Sequence, residues 1–346
     1  MWKTSSITFL LLSVFHSNLS WSSDACSTQA ITAAADVTVS DGSSFQIETS
    51  FQSRDVSAIR HIRDPQQLIV VEGPHSWTQL GDTASIGTDF HKLFALGHQF
   101  HAFLLQFEEL LGSVPRREDV FFDGESRQAI GGDYPYGGRV YLIEGGDAKR
   151  PMGLLFEFPE DTVISVRFDG WRNVGDAQLP FHLQIDDGQR VFDYHYSDIS
   201  ITPKSPLWFL DAIPSPRIDV VQVYRLHRKL LAAHCLGDAG MIANLSAPEI
   251  ITASRGKLEQ TTSHAMRERF TALFQSLDYT EYHDLVAPEI ELAEDATLGW
   301  IGANVEARGT VIETGTSFSS QWAWIMMVRK IDDVWLHVGN ASNRAD

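Results

Sequence analysis

The stretch PRIDVVQVYRLHRKLLAAHCLG, from Pro216 to Gly237, separates two parts of the chain that carry different sequence patterns. Apolar or semi-polar residues recur in it with a period of about 3.6 residues, which predicts an α-helix with one buried face. These residues are Val220, Val223, Tyr224, His227, Leu230, Leu231, His234 and Cys235. Arg225, Arg228 and Lys229 fall on the other side, where we expect solvent. Gly237 ends the helix because glycine readily takes the left-handed conformation found at many helix ends.

The residues before this helix alternate between apolar and polar types over short segments. In the clearest segment, Phe45, Ile47 and Phe51 alternate with polar residues, which is typical of a strand with one face in water. Turn-forming pairs such as Asp123-Gly124 and Asp187-Gly188 separate the segments. Successive strands joined by short turns predict an antiparallel meander over residues 33–214 that curls around an apolar interior.

One helix is expected to interrupt these strands, beginning at Thr88 as its N-cap and ending at Gly112. It is apolar around much of its circumference, so we expect it to be buried in the concavity of the sheet. Its candidate metal ligands share one face: His91, His98, His101 and Glu108. The sequence supplies no obvious matching Glu and His pair on a partner helix, so we favour packed histidines over a metal site.

The end of this first region is GWRNVGDAQLPFHLQIDDGQRVFDYHYSDISI, from Gly170 to Ile201. With its tryptophan strand, Leu-Pro strand, glycine turn and final aromatic strand, it resembles the outer-membrane lipoprotein carrier and sorting proteins. The resemblance implies a half-open antiparallel barrel that wraps helices and shelters acyl chains. The helix from Thr88 is longer and richer in histidine than that family leads us to expect.

The residues after the Pro216–Gly237 stretch predict a smaller α+β unit. Helical spacing at Met266, Phe270 and Phe274 is followed by strand patterns at Ile290, Leu298–Val305, Val311–Ile312, Ser320–Val328 and Val334–Val338. The last two lie in SFSSQWAWIMMVRKIDDVWLHVGNASN, from Ser317 to Asn343. With the Gly237-Asp238 helix end and the Asp295 turn into a tryptophan strand, residues 217–344 resemble the nuclear transport factor 2-like superfamily. Within it, the likeness is to the SnoaL-like and kinase-association-domain-like branch. The resemblance implies a conical fold in which long helices close a strongly bent antiparallel sheet over a pocket.

The predicted fold class is therefore α+β. A half-open antiparallel β domain with an enclosed helix, residues 33–214, precedes a conical α+β domain, residues 217–344. The strand QWAWIMMV, from Gln321 to Val328, is apolar on both faces. A strand that buries both faces needs a second layer, which is either the first domain or a partner chain. We favour a homodimer through this sheet.

Nine residues are candidates for lining a ligand pocket in the second domain. They are Tyr224, His227, His234, Trp300, Asn304, Glu306, Trp322, Trp324 and His337. His227 and His234 lie two turns apart on the apolar helix face, where the pocket of the resembled family is expected. A buried histidine acts there either as an acid or base or as a core residue bonded to a backbone carbonyl, and we favour the second role. Either parity of strand residues could face inward.

The resemblance also invites comparison with ketosteroid isomerases and polyketide cyclases, whose chemistry rests on an aspartate base and an oxyanion-binding tyrosine or acid. The base position falls near Thr252, Ala253 or Ser254, and the tyrosine position near Leu230. Neither residue type is present, so we assign no catalytic residue and expect no cofactor or metal. No nucleophile elbow, phosphate-binding glycine loop or cysteine metal knuckle occurs in the sequence.

Composition excludes some partners and limits the role of cysteine. The formal net charge is -18, which argues against nucleic acid or an anionic membrane as a main partner. The chain has 2 cysteines, Cys26 and Cys235, too few for a disulfide scaffold or a cysteine-based zinc site. Either they pair after export, or Cys235 is a small buried hydrophobic residue, and we favour the second.

The N-terminus has the layout of a secretory signal. Lys3 precedes an apolar run from Ile7 to Phe15, and a polar stretch of small residues follows up to Ala25. The apolar run is too short to span a bilayer, so we interpret residues 1–25 as a cleaved signal peptide and the protein as periplasmic or secreted. No other segment is long and apolar enough for a membrane span. Lipid anchoring through Cys26 is the less favoured alternative, because Ser23 and Asp24 do not suit a lipidation site.

These observations favour an exported, non-catalytic protein that binds a small apolar or amphipathic ligand. Two alternatives remain open. One is an enzyme of the cyclase, isomerase or dehydratase type in which His227 or His234 is the base. The other is a dimerisation or interaction module whose pocket is filled by its own core side chains.

Overall fold

The computed structural model of the chain describes residues 26, 28–63, 65–134, 137–145, 150–159, 162–254 and 256–345. The expected signal peptide, residues 1–25, lies outside the described residues. The described residues form twenty strands in two sheets, together with six helices. Among these helices, none combines the length and the apolar character that a membrane span requires.

The first sheet is a meander of thirteen antiparallel strands. They are β1 Thr28–Val39, β2 Ser44–Ser53, β3 Val56–Ile62, β4 Gln67–Glu72, β5 His75–Leu80, β6 Thr83–Ile86, β7 Arg116–Phe122, β8 Glu125–Asp133, β9 Arg139–Ile143, β10 Gly153–Phe158, β11 Thr162–Val174, β12 Ala177–Asp186 and β13 Val191–Lys204. Their spatial order is β6-β5-β4-β3-β2-β1-β13-β12-β11-β10-β9-β8-β7. The first and last strands in sequence therefore pair at the centre, and the helical segment of the chain connects the two edge strands.

Alternation and turn chemistry explain these strands. In β2, Ile47, Thr49 and Phe51 are buried, whereas the residues between them are partly exposed. The β7–β8 hairpin turns at Asp123 and Gly124, both with positive φ, a geometry that matches the right-handed twist of two paired strands. The antiparallel meander predicted from these signals agrees with the observed sheet.

The segment from Thr88 contains two helices, α1 Asp89–Gly97 and α2 Phe100–Leu110, so the expectation of one continuous helix to Gly112 is wrong. The backbone leaves helical geometry at Gln99, with φ -88° and ψ 51°. The buried Gln99 side chain donates to the carbonyl oxygens of Ala95 and Ala58, which ties the break to strand β3. Thr88 is the N-cap of α1 as predicted, and its N–H donates to His91 Nδ1 over 3.0 Å.

The predicted central helix is α4, Asp219–Cys235, preceded by the short helix α3, Trp208–Ala212. Gly237 follows it with φ +61°, as its position predicts. However, Arg225 does not face solvent: it is 4% exposed and pairs with Glu72 of β4. The prediction failed because α4 packs against both sheets, so the side opposite its apolar face is also covered.

The second sheet has seven strands. They are β14 Ser246–Ser254, β15 Lys257–Thr262, β16 Leu277–Asp284, β17 Glu289–Leu292, β18 Leu298–Val311, β19 Thr316–Ile331 and β20 Val334–Arg344. The order is β15-β14-β20-β19-β18-β16, and β17 also pairs with β18. Helices α5, Ala239–Asn244, and α6, Ser263–Ser276, complete this part. The β14–β20 pair is parallel, whereas the resemblance implied an antiparallel sheet.

Three groups of buried side chains hold these layers together. The largest joins α1 and α2 to strands of the first sheet. A second joins α4, α5 and α6 to the second sheet, through residues such as Val223, Leu230 and Ile301. A third joins the opposite face of β3–β5 to α3 and the start of α4, through Trp77, Phe209 and Val221. The two sheets are therefore connected through α3 and α4.

A disulfide joins Cys26 to Cys235, the last residue of α4. Of the two alternatives for cysteine, pairing is therefore the one that the structure contains, and the favoured unpaired Cys235 is wrong. The backbone N–H of Cys26 also donates to the carbonyl oxygen of Thr280 in β16. The residue that starts the described chain is thus attached to the second sheet, although β1 belongs to the first.

Candidate functional site

One face of the first sheet, here called the inner face, is covered by α1 and α2. Leu96 and Phe103 of these helices are fully buried among side chains from β1–β4 and β9–β13. Tyr134 adds its hydroxyl, which donates to the carbonyl oxygen of Leu93. The predicted burial of this helical segment is therefore correct, although the segment is broken.

Polar groups in this core are few and neutral. His98 Nδ1 lies 2.8 Å from the carbonyl oxygen of Phe94, and His101 Nε2 lies 3.0 Å from that of Pro180. Burial lowers the pKa of each histidine to about 4, because an imidazolium would lose its hydration there. His91 Nδ1 lies 2.9 Å from Thr88 Oγ1, so each of the three histidines has a separate partner. Packing histidines, the favoured interpretation, match what is observed.

Aromatic rings continue from this core towards the surface. Phe45 stacks on His61 with ring centres 5.4 Å apart, and His61 lies 6.0 Å from the ring of Phe94. Phe192 also packs against the core and, like these three, is only partly buried. We call these four residues the aromatic rim. Burial lowers the pKa of His61 to about 4, so the rim is uncharged at neutral pH.

The nine predicted pocket residues fall in three places. Five lie between α4 and the second sheet or within its core: His227, His234, Trp322, Trp324 and His337. Three lie on the opposite side of the second sheet, here called its outer face: Trp300, Asn304 and Glu306. Tyr224 lies between α4 and the first sheet. Residues 301, 303, 305 and 307 of β18 are apolar and buried, so the odd-numbered side chains of that strand face the helices.

One polar group in this interior is the pair of His227 and Asp284. His227 is fully buried, and its Nε2 lies 2.9 and 3.0 Å from the two carboxylate oxygens of Asp284 at the end of β16. Its Nδ1 is buried and has no hydrogen-bond partner among the residues that the structure describes. Trp324 packs edge-on against the ring, at 5.9 Å between centres, and its Nε1 also finds no partner in the described part of the chain. Asp284 thereby fixes the orientation of the imidazole ring in an apolar setting.

Sequence reasoning missed Asp284. The aromatic residues Tyr279 and Tyr282 precede it, and the strand β16 that carries them was not among the predicted strands. The signal was weak because a bulge between Tyr279 and Glu281 breaks the alternation. Recognising the strand would have placed Asp284 near the helices only if the register with β18 had also been known.

His234 occupies an aromatic cage. Its ring stacks on Tyr282 at 4.1 Å between centres and meets the edges of Phe270, Phe274 and Tyr279. Its Nδ1 lies 2.8 Å from the carbonyl oxygen of Leu230, and burial lowers its pKa to about 4. This is the core histidine bonded to a backbone carbonyl that the sequence favoured.

His337 and Trp322 each have a serine hydroxyl as a polar neighbour. His337 Nδ1 is 3.2 Å from Ser246 Oγ, and burial lowers the pKa of His337 to about 4. Trp322 Nε1 donates to Ser320 Oγ. Ring contacts join His227 to Trp324, and they join both Trp324 and His234 to Tyr282.

On the outer face, Asn304 is exposed and Trp300 lies over Gly302. Glu306 is 7% exposed and contacts Arg308 and Ser319. The apolar side chains that β19 turns to this face, Ile325 and Met327, remain exposed in the single chain. The first sheet therefore does not supply the second layer expected for this strand.

Tyr224 belongs to the contact between α4 and the first sheet. Its ring lies against Gly73, where a Cβ atom would come within 2.3 Å of Tyr224 Cζ, and its edge meets His75. Burial raises the pKa of the phenol. Tyr224 is thus a packing residue between the two parts of the molecule.

Two cavities lie elsewhere. One, of about 410 Å³, is lined by Asp211, Lys229, Asp238 and Met241, between α3, α4 and α5. The other, of about 160 Å³, lies over the outside of β2–β4 beside Ile213. None of the nine predicted residues lines either cavity. At the isomerase positions, Leu230 is a buried core residue, and Thr252 to Ser254 form the end of β14.

No family model matches the chain, and no curated protein matches it. Solved structures do. A LolA superfamily protein from Nitrosomonas europaea is 15% identical over 57% of this chain and 96% of its own, with a TM-score of 0.39. A ketosteroid isomerase-like protein from Erwinia carotovora is 12% identical over 37% of this chain and 97% of its own, with a TM-score of 0.32.

A nuclear transport factor 2-like superfamily protein from Salmonella enterica is 10% identical over 37% of this chain and 92% of its own, with a TM-score of 0.33. The two resemblances stated from the sequence, to lipoprotein carrier and sorting proteins and to the nuclear transport factor 2-like superfamily, are confirmed by these likenesses. They concern fold and carry no statement about activity.

Proposed function

We propose that the chain is an exported, non-catalytic protein that binds a small apolar or amphipathic ligand. It consists of a carrier-like domain, residues 33–214, and a nuclear transport factor 2-like domain, residues 217–344, released after removal of residues 1–25. The observation that carries the proposal is the aromatic rim of the first sheet, where α1 and α2 leave apolar rings partly uncovered.

The rim suits the apolar part of a ligand. Burying one such side chain contributes about 1.5–3 kcal/mol, so a ligand that covers several rings gains useful affinity without any charged contact. The histidines at and beneath the rim are neutral above pH 6, since the pKa of each is about 4. The ligand portion that enters is therefore uncharged, as an acyl chain or a sterol-like ring system is. The LolA superfamily likeness fits a carrier role of this kind.

The second domain carries the surface through which the homodimer is proposed to form. Exposed apolar side chains lie on or beside the outer face of the second sheet: Ile251, Leu298, Ile325, Met327 and Val334. Covering them with a second copy removes an apolar patch that a monomer rarely leaves in water. Sedimentation at micromolar concentration tests this part, and a monomer contradicts it.

Native mass spectrometry tests the binding function. Protein purified from its own exported compartment is expected to carry an adduct that organic solvent extracts as a lipid-like molecule. A dansyl-labelled fatty acid then serves as the probe for delipidated protein. Phe45→Ser and Phe192→Ser are each expected to weaken probe binding about tenfold, the loss that follows from about 1.4 kcal/mol of apolar contact.

Phe121→Ser is the matched control, because Phe121 of β7 is 73% exposed and lies outside the core under α1 and α2. It is expected to leave probe binding unchanged. A clean apo mass together with no saturable probe binding contradicts the proposal and supports an interaction module instead. Equal losses in Phe121→Ser and the rim variants also contradict it.

A second candidate function is favoured by one observation, the His227–Asp284 pair. An imidazole held by a carboxylate at Nε2 and free at Nδ1 can take a proton from a carbon next to a carbonyl group, as a cyclase or isomerase requires. The double variant His227→Ala, His234→Ala separates the two functions. It should erase any turnover of such substrates and only modestly weaken dansyl fatty-acid binding, whereas a purely binding protein shows no turnover in either form.

A further inference from the structure

We infer that Glu281, His283 and Glu306, on the outer face of the second sheet, form a site for a divalent transition-metal ion such as Zn²⁺. One ligand atom from each residue lies within 4.8 Å of the other two. A tetrahedral Zn²⁺ with bonds of about 2.0–2.1 Å holds its ligand atoms about 3.4 Å apart, so small side-chain rotations close the site. Carboxylate and imidazole donors together suit this ion.

The strand register produces this arrangement. His283 of β16 lies directly opposite Glu306 of β18, and Glu281 lies opposite Arg308. The bulge between Tyr279 and Glu281 adds one residue to β16 and thereby changes which side chains point outward. Without it, the parity of β16 would turn Glu281 and His283 towards the helices. The bulge therefore brings two strands' polar side chains to one place on the outer face.

Burial and charge both favour a cation. The side chains of Glu281 and Glu306 are each 10% exposed, so water screens their mutual repulsion poorly. Arg308 is the cation that contacts both: its Nη1 lies 3.2 Å from Glu281 and its Nη2 lies 2.9 Å from Glu306. One guanidinium against two carboxylates leaves a net charge of about -1 in the cluster.

Arg308 can give way to a metal ion. Its side chain is 47% exposed, so the guanidinium can move into water while the incoming metal ion compensates the two carboxylates. His283 completes the donor set: its Nε2 lies 3.9 Å from Glu306, and its Nδ1 is buried with no hydrogen-bond partner within the described ranges of the chain. Ser319 Oγ, 3.3 Å from the other oxygen of Glu306, orients that carboxylate. His283 is the most exposed of the three ligands, with 40% of its side chain exposed, so water can reach the remaining coordination positions from its side.

The test is a Zn²⁺ titration of chelator-treated, disulfide-intact protein by isothermal calorimetry. Wild-type protein is expected to take up one ion per chain. Glu306→Gln and His283→Gln are each expected to weaken uptake at least about tenfold, as the loss of a ligand does. Arg308→Gln is expected to strengthen it about tenfold, because it removes the competing cation.

Two exposed residues provide matched controls: Glu249→Gln on β14 and His264→Gln on α6. Both are expected to bind as wild type. Circular dichroism checks that each variant is folded. The inference is overturned if wild type or Arg308→Gln takes up no Zn²⁺. A weaker affinity in Arg308→Gln also overturns it, because the arginine would then support the site rather than compete for it. Equal losses of affinity in the two controls overturn it as well.

Discussion

The buried ion pair between Arg225 and Glu72 gives the sharpest test of how the two sheets are held together. Arg225 Nε lies 2.9 and 3.1 Å from the two carboxylate oxygens of Glu72, and Nη1 donates to the carbonyl oxygen of Ile213 over 3.2 Å. The two side chains are 5% and 0% exposed. Replacing Arg225 with Met removes the cation and leaves the carboxylate of Glu72 without water or a partner.

The expected cost follows from that isolation. Breaking a buried pair by removing one partner costs about 3–5 kcal/mol, because the remaining charge is uncompensated. Replacing both partners with apolar residues of similar volume removes the uncompensated charge as well. The double variant Arg225→Met, Glu72→Leu is therefore expected to lie within about 2 kcal/mol of wild type. The two single losses are thus strongly non-additive.

Urea unfolding followed by tryptophan fluorescence measures these differences, since Trp77 lies 6.0 Å from the guanidinium carbon. The matched control is Arg167→Met, which breaks an ion pair with Asp123 whose side chains are 49% and 45% exposed. That change is expected to cost at most about 1 kcal/mol. The reasoning is refuted if Arg225→Met costs no more than the control, or if the double variant loses the sum of the two single losses.

Two further predictions concern the loss of stability in acid, through buried histidines, and the loss of stability when a side chain is added at Gly73. Burial lowers the pKa of His101, His234 and His337 from 6.5 to about 4. As the pH falls from 6.5 towards 4, the unfolded chain binds a proton at each of these histidines and the folded chain does not, so the folded state loses stability over that range. Between pH 7 and 5 the free energy of unfolding should fall by about 2 kcal/mol for each of them, and a His101→Gln variant should show a shallower decline in urea unfolding. A pH-independent stability over that range contradicts this. Gly73→Ala should cost about 1–3 kcal/mol or more, because Gly73 has φ +60° and an added Cβ would meet Tyr224 at 2.3 Å. Gly124→Ala, with φ +78° and open space, isolates the backbone part, and equal losses in the two variants would rule out the clash.

Much of the local structure could be predicted from local pattern. The period of α4 and the glycine after it lie within one segment, and the turn at Asp123-Gly124 needs only the preference of those two residues. The identity of the two resembled families followed in the same way, from runs of strands, turns and aromatic residues. Each of these signals is local because neighbouring residues in sequence produce it.

The candidate sites were predictable only in part. His227 and His234 were named from their place on the helix, but the partner of His227, Asp284, lies 57 residues away. Glu306 was named as a pocket residue, whereas it faces the outer side with Glu281 and His283. Its orientation depends on the parity of β18 and on the bulge in β16, and both are set by pairing between strands.

The sequence by itself determined the α+β class, the meander of the first half, the central helix and the acidic, cysteine-poor composition. Only the tertiary structure decided the break at Gln99, the burial of Arg225 against Glu72 and the pairing of Cys26 with Cys235. The physical reason is the same for all three. Each depends on contacts between residues far apart in the chain, and such contacts can override the preference of a local segment once a helix or strand is covered on more than one side.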